Sequence, residues 1–270
     1  MSHLRAIGWR NGHPPEDGSF PFGVPAIRTI TTTPLSSVTF FVGENGSGKS
    51  TLLEGIAAAA GLPTVGSAEA ASDESLNHAR RLGKALRLTW SKRTHRGFFL
   101  RAEDFFGFQK RVAQQQRDLR ARLDQVDATY HGRSEAARGL AKGPASGQLA
   151  DIARRYGENP DGRSHGEAFL NLFQGRLAPG GLYLLDEPEA ALSPQSQLAF
   201  LALLFDALKR DAQFVIATHS PMILAFSQGL SLSFDRIPVA TVPYEELDHV
   251  RLTRQFLNHP DRFLRELARE

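Results

Sequence analysis

Short apolar runs, each ending in glycine or in charge, punctuate this chain and predict most of its elements. Leu4-Arg5-Ala6-Ile7-Gly8-Trp9 alternates and predicts a first strand. Pro25 to Thr31 predicts a second, so that the two would form an antiparallel ribbon. Val38-Thr39-Phe40-Phe41-Val42 is apolar, aromatic and β-branched, the pattern of a buried strand. Thr51 to Ala60 predicts a helix closed by Gly61, and 61–75 a loop. Two more strands are expected at Ala85–Trp90 and Gly97–Glu103, the latter ending in charge at Arg101 and Glu103. From Phe105 to about Tyr156 the pattern turns helical and polar, with a flexible break expected at Gly139–Gly147. Its weak apolar content predicts a helical lobe added to a sheet core. Leu182-Tyr183-Leu184-Leu185 and Phe214-Val215-Ile216-Ala217 predict buried strands, with a helix over 195–210 between them. The tail from Tyr244 to Glu270 is amphipathic and helical, with Leu247, Val250, Leu252, Phe256, Phe263 and Leu264 facing the core or a partner. No internal repeat is visible.

Between the strand at 38–42 and the helix that follows lies Gly43-Glu44-Asn45-Gly46-Ser47-Gly48-Lys49-Ser50-Thr51. It fits G-x-x-x-x-G-K-[ST], in the strand–loop–helix context that a phosphate-cradling loop requires. Glycines at 43, 46 and 48 let the backbone turn tightly and bring N–H groups near phosphate oxygens. The helix N-terminus adds its positive end. Lys49 supplies a point charge for the β- and γ-phosphates, and the Ser50 hydroxyl is a candidate Mg2+ ligand. A glycine-rich turn with a chance lysine would not fill all four fixed positions in this context.

The strand at 182–185 ends in Asp186-Glu187-Pro188. Four apolar residues followed by two carboxylates describe a buried strand that ends at an exposed edge. Asp186 is the candidate Mg2+ holder beside Ser50, and Glu187 the candidate for polarising an attacking water. Standing alone, Asp-Glu-Pro is a common strand-ending turn; downstream of a phosphate loop it points to hydrolysis. The strand at 213–217 ends in Thr218-His219-Ser220-Pro221, which puts His219 near the γ-phosphate or the nucleophilic water, although a lone histidine is more often structural.

Composition narrows the class. The 270 residues are 41% hydrophobic, enough for a sizeable core. There is no cysteine, which excludes disulfides, thiol catalysis and cysteine-bound zinc. The N-terminal residues lack an apolar signal segment and the longest apolar run, about Leu198 to Phe205, is too short to span a bilayer. A cytoplasmic protein with no membrane insertion of its own is expected. The net charge of +3 is uneven: between Arg80 and Arg122 thirteen basic residues face three acidic ones, an excess of +10 that leaves −7 elsewhere. A polyanionic partner and a solvated face with internally paired arginines account for this equally well.

Taken together, the phosphate loop at 43–50, Arg163-Ser164-His165-Gly166-Glu167, the Asp186-Glu187 strand and His219 resemble the ATP-binding-cassette type of P-loop ATPase in order and spacing. Ser164 and Gly166 match the Leu-Ser-Gly-Gly-Gln signature of that family; His165 replaces a glycine and Glu167 a glutamine. Ser164 with Glu167 also forms a helix capping box. Glu103 stands near the family's usual glutamine position, and Ala190-Ala191-Leu192-Ser193 lacks the aspartate that follows Walker B in transporters. Asp-Glu-Pro-Glu-Ala-Ala-Leu-Ser-Pro instead looks like the stand-alone soluble "AAA family ATPase" group, kin of RecF and structural-maintenance-of-chromosomes proteins.

The resemblance implies an α/β fold: a P-loop NTPase of ABC type, with a mainly parallel central sheet, an N-terminal antiparallel β part and an inserted helical lobe. It divides the chain into an ATP-binding core at 1–104 and 164–270 and a lobe at 105–163. It implies ATP and Mg2+ as cofactors, and nucleotide contacts at 43–51, Ser164, Gly166 and Glu167. Lys49, Glu187 and His219 would be catalytic, with Ser50 and Asp186 at the metal. It also implies a homodimer closed by ATP, each signature completing the other subunit's site. Nucleic acid or a separate effector protein is the expected partner. An ATP-driven dimerisation switch in a nucleic-acid-linked or defence process is expected; service as a transporter's nucleotide-binding subunit, or as the regulatory ATPase partner of a separate effector, is the alternative.

Overall fold

The structure is a computed structural model that describes residues 3–65, 77–156 and 165–268. In chain order the elements are β1 (Leu4–Trp9), α1 (Pro25–Arg28), β2 (Thr33–Pro34), β3 (Val38–Val42), α2 (Lys49–Ala60), β4 (Thr64–Val65) and α3 (Asn77–Ala85). Then follow β5 (Leu86–Trp90), β6 (Gly97–Arg101), α4 (Ala102–Thr129), α5 (Glu135–Tyr156), α6 (His165–Arg176) and β7 (Leu182–Asp186). The last part holds α7 (Pro194–Leu208), β8 (Gln213–Ala217), α8 (Pro221–Leu224), β9 (Gly229–Ser233), β10 (Ala240–Thr241), α9 (Asp248–Asn258) and α10 (Pro260–Leu267).

Among the described residues the main sheet has the order β10-β9-β3-β8-β7-β6-β4. All its pairings are parallel except β10 with β9. Parallel strands deliver all their C-terminal ends to one edge, where α/β sheets bind ligands. The near-continuous apolar runs follow from burial on both faces. Along β3, Phe40 joins Tyr183, Phe214, Phe169, Phe173 and Phe200 on the side of α6 and α7, while Phe41 joins Leu184, Val215, Leu52, Leu53 and Ile56 on the side of α2. A second, antiparallel sheet, β2-β1-β5, packs on the α2 side. The α/β class, the mainly parallel sheet and the antiparallel part match the architecture expected from the sequence.

Three local expectations give way. The strand expected over 25–31 is helical at Pro25–Arg28, and β1 pairs instead with β2 and β5. Pro25 presets the helical φ at the first position, and the turn buries Ile27 and Ile30 three residues apart on one side. The break expected at Gly139–Gly147 lies within continuous α5, Pro144 included. Gly139, Gly143 and Gly147 are exposed, while Ala145, Leu149 and Ile152 pack on Phe108, Val112 and Leu119 of α4. That packing outweighs a helical glycine cost of about 1 kcal/mol each. The turn between the two helices falls at Gly132, which has φ +86°. The tail is helical as expected, but only Leu247 and Val250 enter the core, leaving Leu252, Leu257, Leu264 and Leu267 exposed. Within the loop expected over 61–75, Thr64–Val65 instead form β4 on β6, and 66–75 lie outside the described residues.

Candidate functional site

The phosphate loop leaves β3 at the C-terminal edge and enters α2 at Lys49. Gly48 holds φ +102°, and a Cβ there would come within 2.8 Å of Val24 Cγ1. Gly43 holds φ +146°, and a Cβ there would come within 2.9 Å of Asp235 Oδ1. Both positions therefore exclude side chains twice over, by backbone conformation and by crowding. Lys49 is buried and donates to the carbonyls of Gly43 at 2.6 Å and Glu44 at 2.8 Å. Burial pulls its ammonium below the usual lysine range, against the carboxylates of Glu187, Asp235, Asp186 and Glu44, which act in the other direction. Glu44 and Asn45 are exposed at the tip of the loop, and Ser50 and Thr51 open α2.

Strand β7 ends at this loop. The Ser50 hydroxyl donates to Asp186 Oδ1 at 3.0 Å. Burial raises the Asp186 carboxyl to about 6, opposed by that hydrogen bond and by Arg101. The next residue, Glu187, continues the ladder by donating its N–H to Ala217 O, yet holds φ +49°, a left-handed conformation rare for a non-glycine residue. Its side chain stays 44% exposed, so this carboxylate faces water while Asp186 does not.

Strand β8 lies between β3 and β7 and carries His219 to the same edge. His219 Nε2 stands 3.9 Å from Glu187 Oε1, beyond hydrogen bonding. Its backbone is fixed by Glu189, which accepts the His219 N–H at 2.6 Å and the Thr218 hydroxyl at 2.7 Å. Ser220 donates to Gln197 of α7 at 2.5 Å and accepts from the Ile223 N–H. The strand end is therefore tied on both sides.

The structure brings together Lys49, Ser50, Asp186, Glu187 and His219. It adds four residues that the sequence reading had not placed there. Arg101 ends β6 in register with Asp186, its Nε 3.8 Å from Asp186 Oδ2, and also pairs with buried Glu54 of α2. Glu103, exposed in the first turn of α4, does not take that place. Asp235 follows β9 and accepts the Glu44 N–H at 2.8 Å. His249, in the first turn of α9, sets its ring 6.2 Å from that of His219. Glu189 is the fourth. For Asp235 a signal existed: Leu232-Ser233-Phe234-Asp235 repeats the pattern of a strand ending in a carboxylate.

Ser164 lies outside the described residues. Gly166 is buried on α6, where a Cβ would come within 2.6 Å of Ser196 Oγ, so it lets α6 approach the start of α7. Glu167 is exposed in the same turn.

The donor set suits a phosphate with a hard cation. Ser47 Oγ, His219 Nε2 and His249 Nε2 are buried around the loop without a hydrogen-bond partner. Ser50 and Asp186 offer oxygen to a cation, which is what Mg2+ takes together with phosphate oxygens and water. Among the described residues no His, Asp or Glu cluster forms a metal cage of its own, so a cation here would need the phosphates.

A family model described as "AAA domain, putative AbiEii toxin, Type IV TA system" matches residues 168–225, the stretch that holds Asp186, Glu187, Glu189 and His219. No curated protein matches the chain in sequence. Similar solved structures include the Smc head domain with an extended coiled coil bound to the C-terminal domain of ScpA, from Pyrococcus furiosus. It is 14% identical, covers 99% of this chain and 100% of that one, and has a TM-score of 0.47. Another is a nucleotide-free ATP-binding cassette from an ABC transporter, 15% identical, covering 87% and 90%, with a TM-score of 0.44. The phosphate loop between β3 and α2, the mainly parallel strand order and the placement of Asp186 and His219 at one sheet edge make this an α/β fold of P-loop type.

Proposed function

We propose that this protein hydrolyses ATP with Mg2+ and uses ATP binding to close a homodimer. The observation that carries the reading is the convergence of Lys49 and Ser50 from β3–α2, Asp186 and Glu187 from β7, and His219 from β8 at one sheet edge.

In this reading the loop N–H groups and Lys49 hold the β- and γ-phosphates. Lys49 exchanges its two carbonyl partners for phosphate oxygens, and the incoming anion offsets the burial that depresses its charge. Ser50 and Asp186 hold Mg2+, which would neutralise charge on the phosphates. Glu187, facing water, orients and polarises the nucleophile. His219, held by Glu189, donates toward the terminal phosphate. Catalysis is mainly positioning and charge stabilisation.

The signature segment, with Gly166 and Glu167 at the start of α6, is assigned to the partner subunit's nucleotide. The process served is nucleic-acid-linked or defensive. Its support is the basic excess between Arg80 and Arg122 and the toxin–antitoxin description of the matching family model. Among the described residues no helix is long and apolar enough to cross a membrane, so a transporter role would require a separate permease.

The test is ATPase rate per subunit against protein concentration, with and without DNA and RNA. A rate rising with concentration, lost in Lys49→Ala and stimulated by nucleic acid, is expected. A concentration-independent rate removes the shared site. Indifference to DNA and RNA in both the ATP and the ADP state removes the nucleic-acid link.

A further inference from the structure

We propose that His249 is a second binding residue for the terminal phosphate, paired with His219, and that through it the α9–α10 hairpin responds to whether that phosphate is present. The proposal rests on the reading of the phosphate loop as an ATP site.

Three observations place His249 there. Its ring meets that of His219 edge to face, with centroids 6.2 Å apart and planes at 65°. Its Nε2 is buried without a hydrogen-bond partner, as is Nε2 of His219. It also lines a cavity of about 410 Å3 shared with Gly43 of the phosphate loop and Asp235, the carboxylate that holds the Glu44 N–H. Buried polar nitrogens are costly without a partner, and two beside one phosphate loop mark where a polar group belongs, an acceptor where Nε2 carries the proton. A phosphate oxygen is such an acceptor. Burial and the neighbouring His219 hold His249 below the usual histidine range, so it stands neutral, with one N–H to donate.

The helix that carries His249 is attached on one side, where Arg254 pairs with Glu245 and lies over the Tyr244 ring. Leu247 and Val250, which flank His249, are its buried anchors in the core. Beyond them Leu252 and Leu257 of α9, and Leu264 and Leu267 of α10, are exposed. Phe256 and Phe263 hold the two helices together, with centroids 5.8 Å apart. A hydrogen bond made at His249 only when the terminal phosphate is present would therefore add a hold at the anchored end of a helix pair whose other apolar residues are exposed. The γ-phosphate would be read outside the hydrolytic residues, by a helix that follows the sheet.

The experiment measures affinity for fluorescent ATP and ADP analogues with Mg2+, alongside hydrogen exchange over residues 248–267. The wild type should show ATP-specific protection of that segment. His249→Ala should bind ATP about tenfold more weakly, the loss of one hydrogen bond to a charged group. Its ADP affinity should be unchanged and its protection lost. His249→Gln, which keeps an N–H donor, should recover much of the ATP preference. An unchanged ATP-to-ADP ratio in His249→Ala overturns the proposal. So does equal protection by ATP and ADP in the wild type, a comparison that stands even if the alanine variant does not fold. If the wild type binds neither nucleotide, or Lys49→Ala binds both normally, the ATP-site reading itself has failed.

Discussion

Glu189 Oε1 accepts the backbone N–H of His219 at 2.6 Å, so a residue three positions beyond Asp186 fixes the end of the neighbouring strand. Its other oxygen takes the Thr218 hydroxyl, and burial raises its carboxyl above the usual range. Glu189→Ala strands two donors, at a cost of about 1–3 kcal/mol. A displaced His219 should lower kcat by about 100-fold. Glu189→Gln retains one carbonyl acceptor and should recover much of the stability. Thermal unfolding and steady-state kinetics of both variants check this; a Glu189→Ala enzyme with wild-type kcat would show that His219 does not depend on this anchor.

Arg101 answers to two carboxylates, and removing it should be felt by both. Glu54 is buried and keeps only His78, 3.0 Å away, as a further ion-pair partner among the described residues. Breaking a buried pair from one side costs about 3 kcal/mol or more, so Arg101→Ala should lower the melting temperature by several degrees. Asp186 would also lose a cation that holds its pKa down. Arg101→Lys keeps a charge but not the fork that reaches Glu54 and Asp186 together, and should recover only part of the loss. Equal melting temperatures for wild type and Arg101→Ala would mean that the pairing carries no stability.

The difference between Lys49 and Arg101 explains what the sequence made legible. Lys49, Ser50, Asp186 and Glu187 lie in contiguous strings, a glycine loop and an apolar run ending in carboxylates, whose chemistry shows without a fold. Arg101 reaches the site only because β6 pairs with β7 in a register that sets it against Asp186. His249 arrives only because the chain crosses back after β10. The apolar run before Arg101 shows a strand ending in charge but not which carboxylate it meets, and nothing next to His249 announces its placement. The strand expected at 25–31 failed because Pro25 presets a helical turn that buries Ile27, and glycine content misled at 139–147 because packing against α4 was invisible.

Asp186 makes stability depend on pH. Its folded-state pKa, about 6, lies above the unfolded value of 3.8. Between those values the folded state binds more protons than the unfolded chain, so stability falls as pH rises through that window. The loss is complete above about pH 6 and amounts to roughly 3 kcal/mol at most. Asp186→Asn should remove this slope, leaving it relatively more stable than wild type at pH 7 than at pH 4. Melting temperatures of both proteins from pH 4 to 7, without nucleotide, check this. Mg2+-dependent ATP binding should run the opposite way and weaken below pH 6, as the carboxylate takes up its proton.

Glu187→Gln separates hydrolysis from closure. The side chain is nearly half exposed, and its left-handed backbone is shared by the isosteric amide, so folding should be unaffected. The amide cannot polarise water as the carboxylate does, and turnover should fall about 100- to 10,000-fold. ATP binding, which uses Lys49 and Ser50, should persist. The expected product is an ATP-bound dimer that outlives the wild-type one, measured by light scattering after gel filtration with ATP and Mg2+. Hydrolysis at the parent rate would remove Glu187 from the chemistry. ATP retained by a monomer would instead leave the chemistry standing and remove the shared site, because a trapped nucleotide that needs no second subunit has no use for the α6 segment of a partner.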